Sequence, residues 1–325
     1  MTRQRLILTV ILSILLLVGF NVLLAVGTRN SPEKKALMDL RGLTGKDTIA
    51  FGDSLIGVGF LPDIFDRTAA ENAYTATSAN AAVLNTYPSE HAIVLGETLR
   101  LNPQARMIIY GFFDFRLTAV PAAKSDDLWG NRIIGLLLEP LKAQSLYTMD
   151  LGSRIETVLF SKLPLFTDRA TPYFRVEKAR ESLAKIGKSP APAGGATRFA
   201  QLEATSIENF NREALQQVSD RQPLSTPILE IIRQAKEHNA RLVLVEMPAS
   251  PEHVTRFYRS PSWAIYREYV RGLLKEHGVE FLDAGEWFPE QGFFGDELHL
   301  APRGAQAFSQ QLARSLAASP VKQDP

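Results

Sequence analysis

The chain has 325 residues, 45% of them hydrophobic, with 36 basic against 35 acidic side chains, a globular composition long enough for one large domain carrying an insertion. The near-cancelling charges leave no basic excess to neutralise phosphates, which speaks against a nucleic-acid partner. There is no cysteine, which excludes disulfides, thiolate catalysis and cysteine-ligated metals.

"MTRQR" is followed by an apolar run over residues 6–26 that no charge interrupts. At ~1.5 Å per residue the run reaches roughly 30 Å, enough to cross a bilayer core. Arg3 and Arg5 precede it, so the positive-inside rule keeps the N-terminus cytoplasmic and sends the rest of the chain outward. Ala25 and Gly27 also fit a small-residue cleavage site, but signal-peptide apolar regions run only about 7–15 residues, which favours an uncleaved anchor. The expected organisation is a signal-anchor helix over 1–26, a polar stalk over 27–46, a domain over 47–318 and a disordered tail over 319–325.

Thr48–Phe51 reads as a buried strand, and Ala73–Thr77 as a second, weaker one. "SEHAIVLGETLRL" has apolar residues at 92, 94, 95, 99 and 101, with Ser89 placed to cap a helix. "ARMIIYGFF", residues 105–113, is apolar through its centre, as a strand covered on both faces should be. The rhythm returns at "TPILEIIRQAKEHN", a helix with Thr226 as cap and Pro227 in the first turn. Then follow the strand "ARLVLVEMP", a helix closed by Gly278, the strand "VEFLDA" and a last helix from Pro302. Alternation of this length predicts a doubly wound α/β, mainly parallel sheet. Residues 115–225 break the rhythm as an insertion, and "GKSPAPAGGA" at 187–196 reads as a loop.

Ligands of open α/β sheets bind beyond the carboxyl ends of the strands, which is where "GDSL" puts Ser54. A serine hydroxyl needs a base to become a nucleophile. Of the five histidines, His91, His238 and His277 fall in or at the ends of amphipathic helices, where surface or helix-end roles suffice. His253 borders a strand end with nothing in the sequence to orient it. His299 stands in "GDELHL", three residues after Asp296, in the loop between the last strand and the last helix. That spacing lets the carboxylate hold one imidazole nitrogen while the other faces a hydroxyl. No His/Asp/Glu cluster has metal spacing, and "GDSLIGVG" lacks the lysine of a phosphate loop, so neither a metal nor a cofactor is expected.

"GDSL" after the first strand and "DELHL" after the last together resemble the SGNH, or GDSL-type, hydrolases over residues 47–114 and 226–317. The resemblance implies a flavodoxin-like sheet, Ser54 as nucleophile, His299 as base and Asp296 as its orienter. It also implies that the Ser54 backbone N–H serves an oxyanion hole. The family's second block supplies a glycine N–H; "TATSANAAV" has none, leaving Ala79 or Asn80 to present a donor. The third block is Gly-x-Asn-Asp; in "GFFDF" Gly111 and Asp114 are in place while Phe113 stands at the asparagine position, so Asn80 is the expected side-chain substitute. Phe112, Phe113 and Phe115 read as core more readily than as an acyl pocket, and Arg116 as a surface ion-pair partner.

One span followed by an outward SGNH-like domain is similar in layout to the D-alanyl transfer protein of teichoic-acid modification and to alginate O-acetylation proteins. That similarity implies an esterase or O-acyltransferase at the inner membrane, its domain periplasmic or otherwise extracytoplasmic. The implied partners are an acylated glycan or lipid-linked saccharide and a membrane-bound O-acyltransferase, with acetyl as the default acyl group. Phe113 motivates an alternative, an inactive SGNH-fold scaffold in a polysaccharide modification or export complex. An ordinary secreted lipase-like hydrolase is the third possibility, disfavoured by the uncleaved span.

Overall fold

The computed structural model describes residues 3–29, 32–72, 74–84, 86–115, 117–118, 146, 151–160, 163–164 and 196–318. The chain clusters into two compact units, Met1–Asp39 with Ala122–Pro192, and Leu40–Pro121 with Ala193–Pro325. The first unit carries α1 (Arg3–Gly27), the one helix among the described residues long and apolar enough to cross a membrane. The segment expected to be a plain stalk is helical over α2 (Pro32–Gly42). Its end is docked rather than free: Leu40 is buried, and Asn102 donates to the Leu43 carbonyl oxygen and accepts from the Lys46 N–H.

The second unit contains the sheet. β1 (Thr48–Gly52) is buried at every position and leads into α3 (Ser54–Gly59) and α4 (Pro62–Glu71). The second strand, expected over 73–77, is β2 (Ser78–Asn80), three residues on the sheet edge; Ala73 lies outside the described residues. The next helix, α5 (Pro88–Leu101), starts one residue before the expected Ser89 cap. Tyr87 is the capping position, and its N–H donates to Glu90 Oε2 at 2.6 Å, which Pro88 in the first turn accommodates. β3 (Met107–Phe112) is again buried throughout.

Of the expected insertion, α6 (Leu151–Phe160) lies in the first unit, while α7 (Ala196–Ser219) belongs to the sheet unit. Most of the loop expected over 187–196, Arg116 and the tail 319–325 lie outside the described residues. α8 (Thr226–Glu237) has Ser225 rather than Thr226 at its N-cap position, without a side-chain capping bond. β4 (Arg241–Glu246) follows, then a helical turn Pro251–His253 running into a π-helical turn Val254–Tyr258. α9 (Pro261–Glu276), β5 (Glu280–Asp283) and α10 (Pro302–Ala318) complete the unit. Ser260 accepts from the Trp263 N–H at the start of α9, and Gly278 takes a positive φ of 69° just past its end.

All strand pairs are parallel, in the order β2-β1-β3-β4-β5, the doubly wound, flavodoxin-like arrangement expected from the sequence. Period-2 alternation sends Ala50, Met107, Ile109, Val243 and Val245 into one core with Ile56, Phe65, Phe308 and Leu312 of α3, α4 and α10. The opposite face carries Phe51 and Tyr110, whose rings lie 4.9 Å apart, beneath α5 and α8. Each fully buried Phe or Ile on these faces contributes roughly 1.5–3 kcal/mol. His91, in α5, is buried rather than superficial, with its ring nitrogens 2.9 Å from Thr86 Oγ1 and 3.0 Å from the Tyr110 hydroxyl.

Candidate active site

The carboxyl ends of β1 and β3 are built around two glycines opposite each other in register, Gly52 and Gly111. Gly52 has φ +142°, and a Cβ there would stand 2.6 Å from the Gly111 carbonyl oxygen. A Cβ on Gly111 would stand 2.8 Å from Ile56 Cβ. The two bare backbones therefore let the first turn of α3 sit directly on the strand ends. Asp53 caps that helix by accepting from the Leu55 N–H at 2.9 Å. Ser54 thus occupies the first helical position, where backbone N–H groups have no partner one turn earlier.

His299 reaches Ser54 from a tight loop between β5 and α10. Phe294 and Leu300 form an antiparallel bridge, and the Gly295 N–H donates to the His299 carbonyl oxygen at 2.8 Å. Gly304 lets α10 pack against this loop, because a Cβ there would lie 2.0 Å from the Phe293 carbonyl oxygen. Asp296 Oδ1 accepts from the N–H groups of Leu298 at 2.8 Å and His299 at 2.7 Å, an Asx-type turn.

The side chains then line up. Asp296 Oδ2 is 2.9 Å from His299 Nδ1, and His299 Nε2 is 2.9 Å from Ser54 Oγ. The carboxylate selects the tautomer with the proton on Nδ1, which leaves Nε2 to accept from the serine hydroxyl. The His299 N–H holds the Asp296 carboxyl below its ordinary range; the Leu298 N–H and the imidazole act in the same direction. Asp296 is 60% exposed, so water competes for the carboxylate and weakens its grip on the ring.

The oxyanion residues expected from the sequence fall around α3 with different occupations. Ala79 is buried in β2 opposite Ile49. Beyond it, the N–H groups of Ala81, Ala82 and Val83 donate to the Ala50 carbonyl oxygen, Asn80 Oδ1 and the Gly52 carbonyl oxygen. The side-chain role expected of Asn80 meets a competing commitment. Its Nδ2 lies 3.2, 3.1 and 2.8 Å from the carbonyl oxygens of Ile56, Gly57 and Phe60, closing the last turn of α3. Phe113 is half-buried and packs on the core, while Phe112 and Phe115 are core residues; Phe115 meets Phe210, Trp263 and Tyr266. Asp114 takes a left-handed backbone, φ 52°, and accepts from the Tyr258 hydroxyl at 3.0 Å. Burial, and then the Asp114 charge, raise the Tyr258 phenol well above its ordinary range and keep it a neutral donor.

Three contributions escaped sequence reasoning. Ser309 of α10 accepts from the Leu61 N–H at 2.9 Å and lies 3.2 Å from the Gly59 carbonyl oxygen, tying the last helix to the end of α3. Its register on the buried face of α10 was legible; its partner was not. The turn Ser250–Tyr258 reaches both site loops, and only its "SPEH" capping pattern shows in the sequence. Behind it Glu246, at the end of β4, is pushed up to about 7 by burial, although Arg267 at 3.1 Å pulls it down. Among the described residues no group of His, Asp and Glu could hold a metal ion.

A family model matches residues 203–319, well under half of the chain and without Ser54. No curated protein matches. Among solved structures the chain is similar to a Streptococcus pneumonia protein whose designation as a platelet activating factor is provisional. The identity is 13% and the TM-score 0.40, over 92% of this chain and 99% of that one. It is also similar to a GDSL-like lipase from Bacteroides thetaiotaomicron, at 8% identity and a TM-score of 0.37, over 89% of this chain and 98% of that one. Likenesses this distant carry no argument about function; the fold assignment stands on the strand order and the parallel register.

Proposed function

We propose that this protein is a membrane-anchored esterase or O-acyltransferase of the SGNH type, acting on acyl groups of a cell-envelope or exported polysaccharide outside the inner membrane. The observation that carries the reading is the continuous relay from Ser54 Oγ through His299 to Asp296, with both side-chain contacts at 2.9 Å. In the forward step Ser54 Oγ bonds to the acyl carbonyl carbon while His299 Nε2 takes the hydroxyl proton. The tetrahedral oxyanion collapses, the C–O bond to the glycan oxygen breaks, and His299 returns the proton to that oxygen. Water or a second sugar hydroxyl, deprotonated by the same His299, then attacks the acyl-serine; the acyl–Oγ bond breaks and His299 returns the proton to Ser54 Oγ. The apolar α1 supports a membrane anchor, and an acylated glycan or lipid-linked saccharide suits a domain held beside a bilayer. A membrane-bound O-acyltransferase is the corresponding partner, as acyl donor or consumer.

A serine-directed fluorophosphonate tests this directly. The full chain in detergent should label, Ser54→Ala should not, and the wild type should turn over p-nitrophenyl acetate. A folded wild type that neither labels nor turns over ester overturns the enzyme reading. It would support instead the scaffold reading, which is favoured by Phe113 in the third block and by the engaged Asn80 amide.

A further inference from the structure

The turn between β4 and α9 carries a histidine that the relay from Ser54 to Asp296 does not use. His253 is only 7% exposed, and neither ring nitrogen has a hydrogen-bond partner. A neutral imidazole buried this way leaves one N–H and one lone pair unmet, an arrangement that buried polar groups avoid. Two carboxylates flank it. Asp114 Oδ1 is 3.9 Å from Nε2 on one side, and Glu297 Oε2 is 3.9 Å from Nδ1 on the other.

These carboxylates belong to the two loops that frame Ser54. Asp114 closes "GFFD" in the left-handed conformation, and Glu297 sits between Asp296 and His299. A non-glycine residue in that conformation persists only where its surroundings hold it. The turn that bears His253 grips both loops by other atoms as well. Tyr258 donates to Asp114, Arg256 Nη1 lies 3.2 Å from Glu297 Oε1, and the Ser250 N–H donates to the Glu297 carbonyl oxygen at 3.0 Å. Glu252, 3.6 Å from Arg256, is the turn's remaining acidic group. The rings of Phe257 and Tyr258, 4.7 and 4.9 Å from the imidazole, enclose it.

We propose that His253 is a positioning residue that acts as an imidazolium bridge, donating to Asp114 from Nε2 and to Glu297 from Nδ1, and so fixes the Asp296–His299 loop against the end of β3. Closing each 3.9 Å gap by about 1 Å would turn both contacts into charge-assisted hydrogen bonds. Neutral His253 can donate to only one carboxylate, and it turns a lone pair toward the other. The bridge therefore needs a proton on each ring nitrogen. His253 touches no substrate in this scheme. Its effect on turnover rests on the Ser54–His299–Asp296 reading, whereas the bridge itself does not.

The full chain, labelled with ¹⁵N-histidine and held in detergent, tests the bridge through the His253 ring N–H resonances. The wild type should show a proton on both Nδ1 and Nε2, and Asp114→Asn and Glu297→Gln should each shift or remove the one that faces the substituted side chain. A wild-type ring with only one N–H, or N–H resonances unchanged in both variants, overturns the bridge. For the positioning role, His253→Gln should label with fluorophosphonate about tenfold more slowly, with the lost rate in kcat for p-nitrophenyl acetate rather than in KM. A folded His253→Gln that labels at the wild-type rate overturns that role. If His253→Gln does not fold, Glu297→Gln takes its place in the rate measurement, with the same slowing expected and the same overturning result. A wild type that never labels refutes the Ser54 reading instead, and the resonance measurement then decides the bridge alone.

Discussion

Gly52 and Gly111 face each other across β1 and β3, and the room above them is filled by Ile56 of the helix that Ser54 begins. The nucleophile's height above the sheet is therefore set by the absence of two side chains. Gly52→Ala would bring a methyl group against a backbone oxygen in a conformation that L-residues avoid, so it should cost about 2–4 kcal/mol. Gly111→Ala meets the movable Met247 side chain as well as Ile56 and should cost less, about 1–3 kcal/mol. Urea denaturation of both variants checks the order; a Gly111→Ala loss larger than that of Gly52→Ala would refute it.

Asp296 gives a test of orientation separate from proton transfer. Asp296→Asn keeps the turn's acceptor oxygen for Leu298 and His299 but no longer selects the Nδ1–H tautomer. On the serine-relay reading, p-nitrophenyl acetate turnover should fall by up to ~10³–10⁴-fold, with exposure of the site limiting the loss. The depressed carboxyl also fixes a sign. A group whose folded pKa lies below its unfolded one adds stability above the ordinary carboxylate pKa, and that stability is lost as pH falls through the folded value. Acid titration of the Asp296 carboxyl carbon should therefore show it ionised below the ordinary carboxylate range, and a midpoint within that range would contradict the Asx-turn geometry.

Much of this was legible because it depends on local pattern. Thr48–Gly52 and Met107–Phe112 are short, largely apolar runs, the length and pattern of strands covered on both faces. Ser54 and His299 could be paired from sequence through the resemblance of "GDSL" and "DELHL" to the SGNH blocks, one at the end of the first strand and the other in the connection after the last. β2 was misplaced because Tyr74–Thr77 look more strand-like than Ser78–Asn80, yet pairing begins where Ser78 meets Thr48. α4 went unread although Pro62 opens it and Phe65, Thr68 and Ala69 line its buried face. His253 could be placed past a strand end from sequence but its partners could not, because its two carboxylates come from elements about 140 and 45 residues away, brought together only by the parallel sheet.

Asn80 separates a catalytic donor from a structural cap. Its amide reaches the Phe60 and Gly57 carbonyl oxygens at 2.8 and 3.1 Å, and its Oδ1 takes the Ala82 N–H at 3.1 Å. Asn80→Ala removes these partners together and should cost about 1–3 kcal/mol. Asn80→Asp keeps the acceptor for Ala82 but faces carbonyl oxygens with a carboxylate, so it should be worse than Ala in thermal melts. A catalytic donor would instead show a rate loss with unchanged stability in Asn80→Ala.

Glu246 makes the last prediction, one of sign. Burial raises its carboxyl from the ordinary 4.5 to about 7, against the pull of Arg267, while neighbouring Asp283 adds to the rise. The unfolded chain releases this proton near 4.5, whereas the folded protein holds it until about 7. Between those values the native state binds more protons than the unfolded state, so stability falls as pH rises and levels off above about 7. The drop this one group contributes is on the order of 3 kcal/mol, at ~1.4 kcal/mol per pH unit. Glu246→Gln cannot ionise, and Arg267 keeps Asp283 at 3.1 Å. Urea midpoints at pH 5 and pH 8 should therefore differ less in the variant than in the wild type, with the variant gaining at pH 8. An equal or steeper fall in Glu246→Gln would mean that Arg267, rather than desolvation, governs this carboxylate.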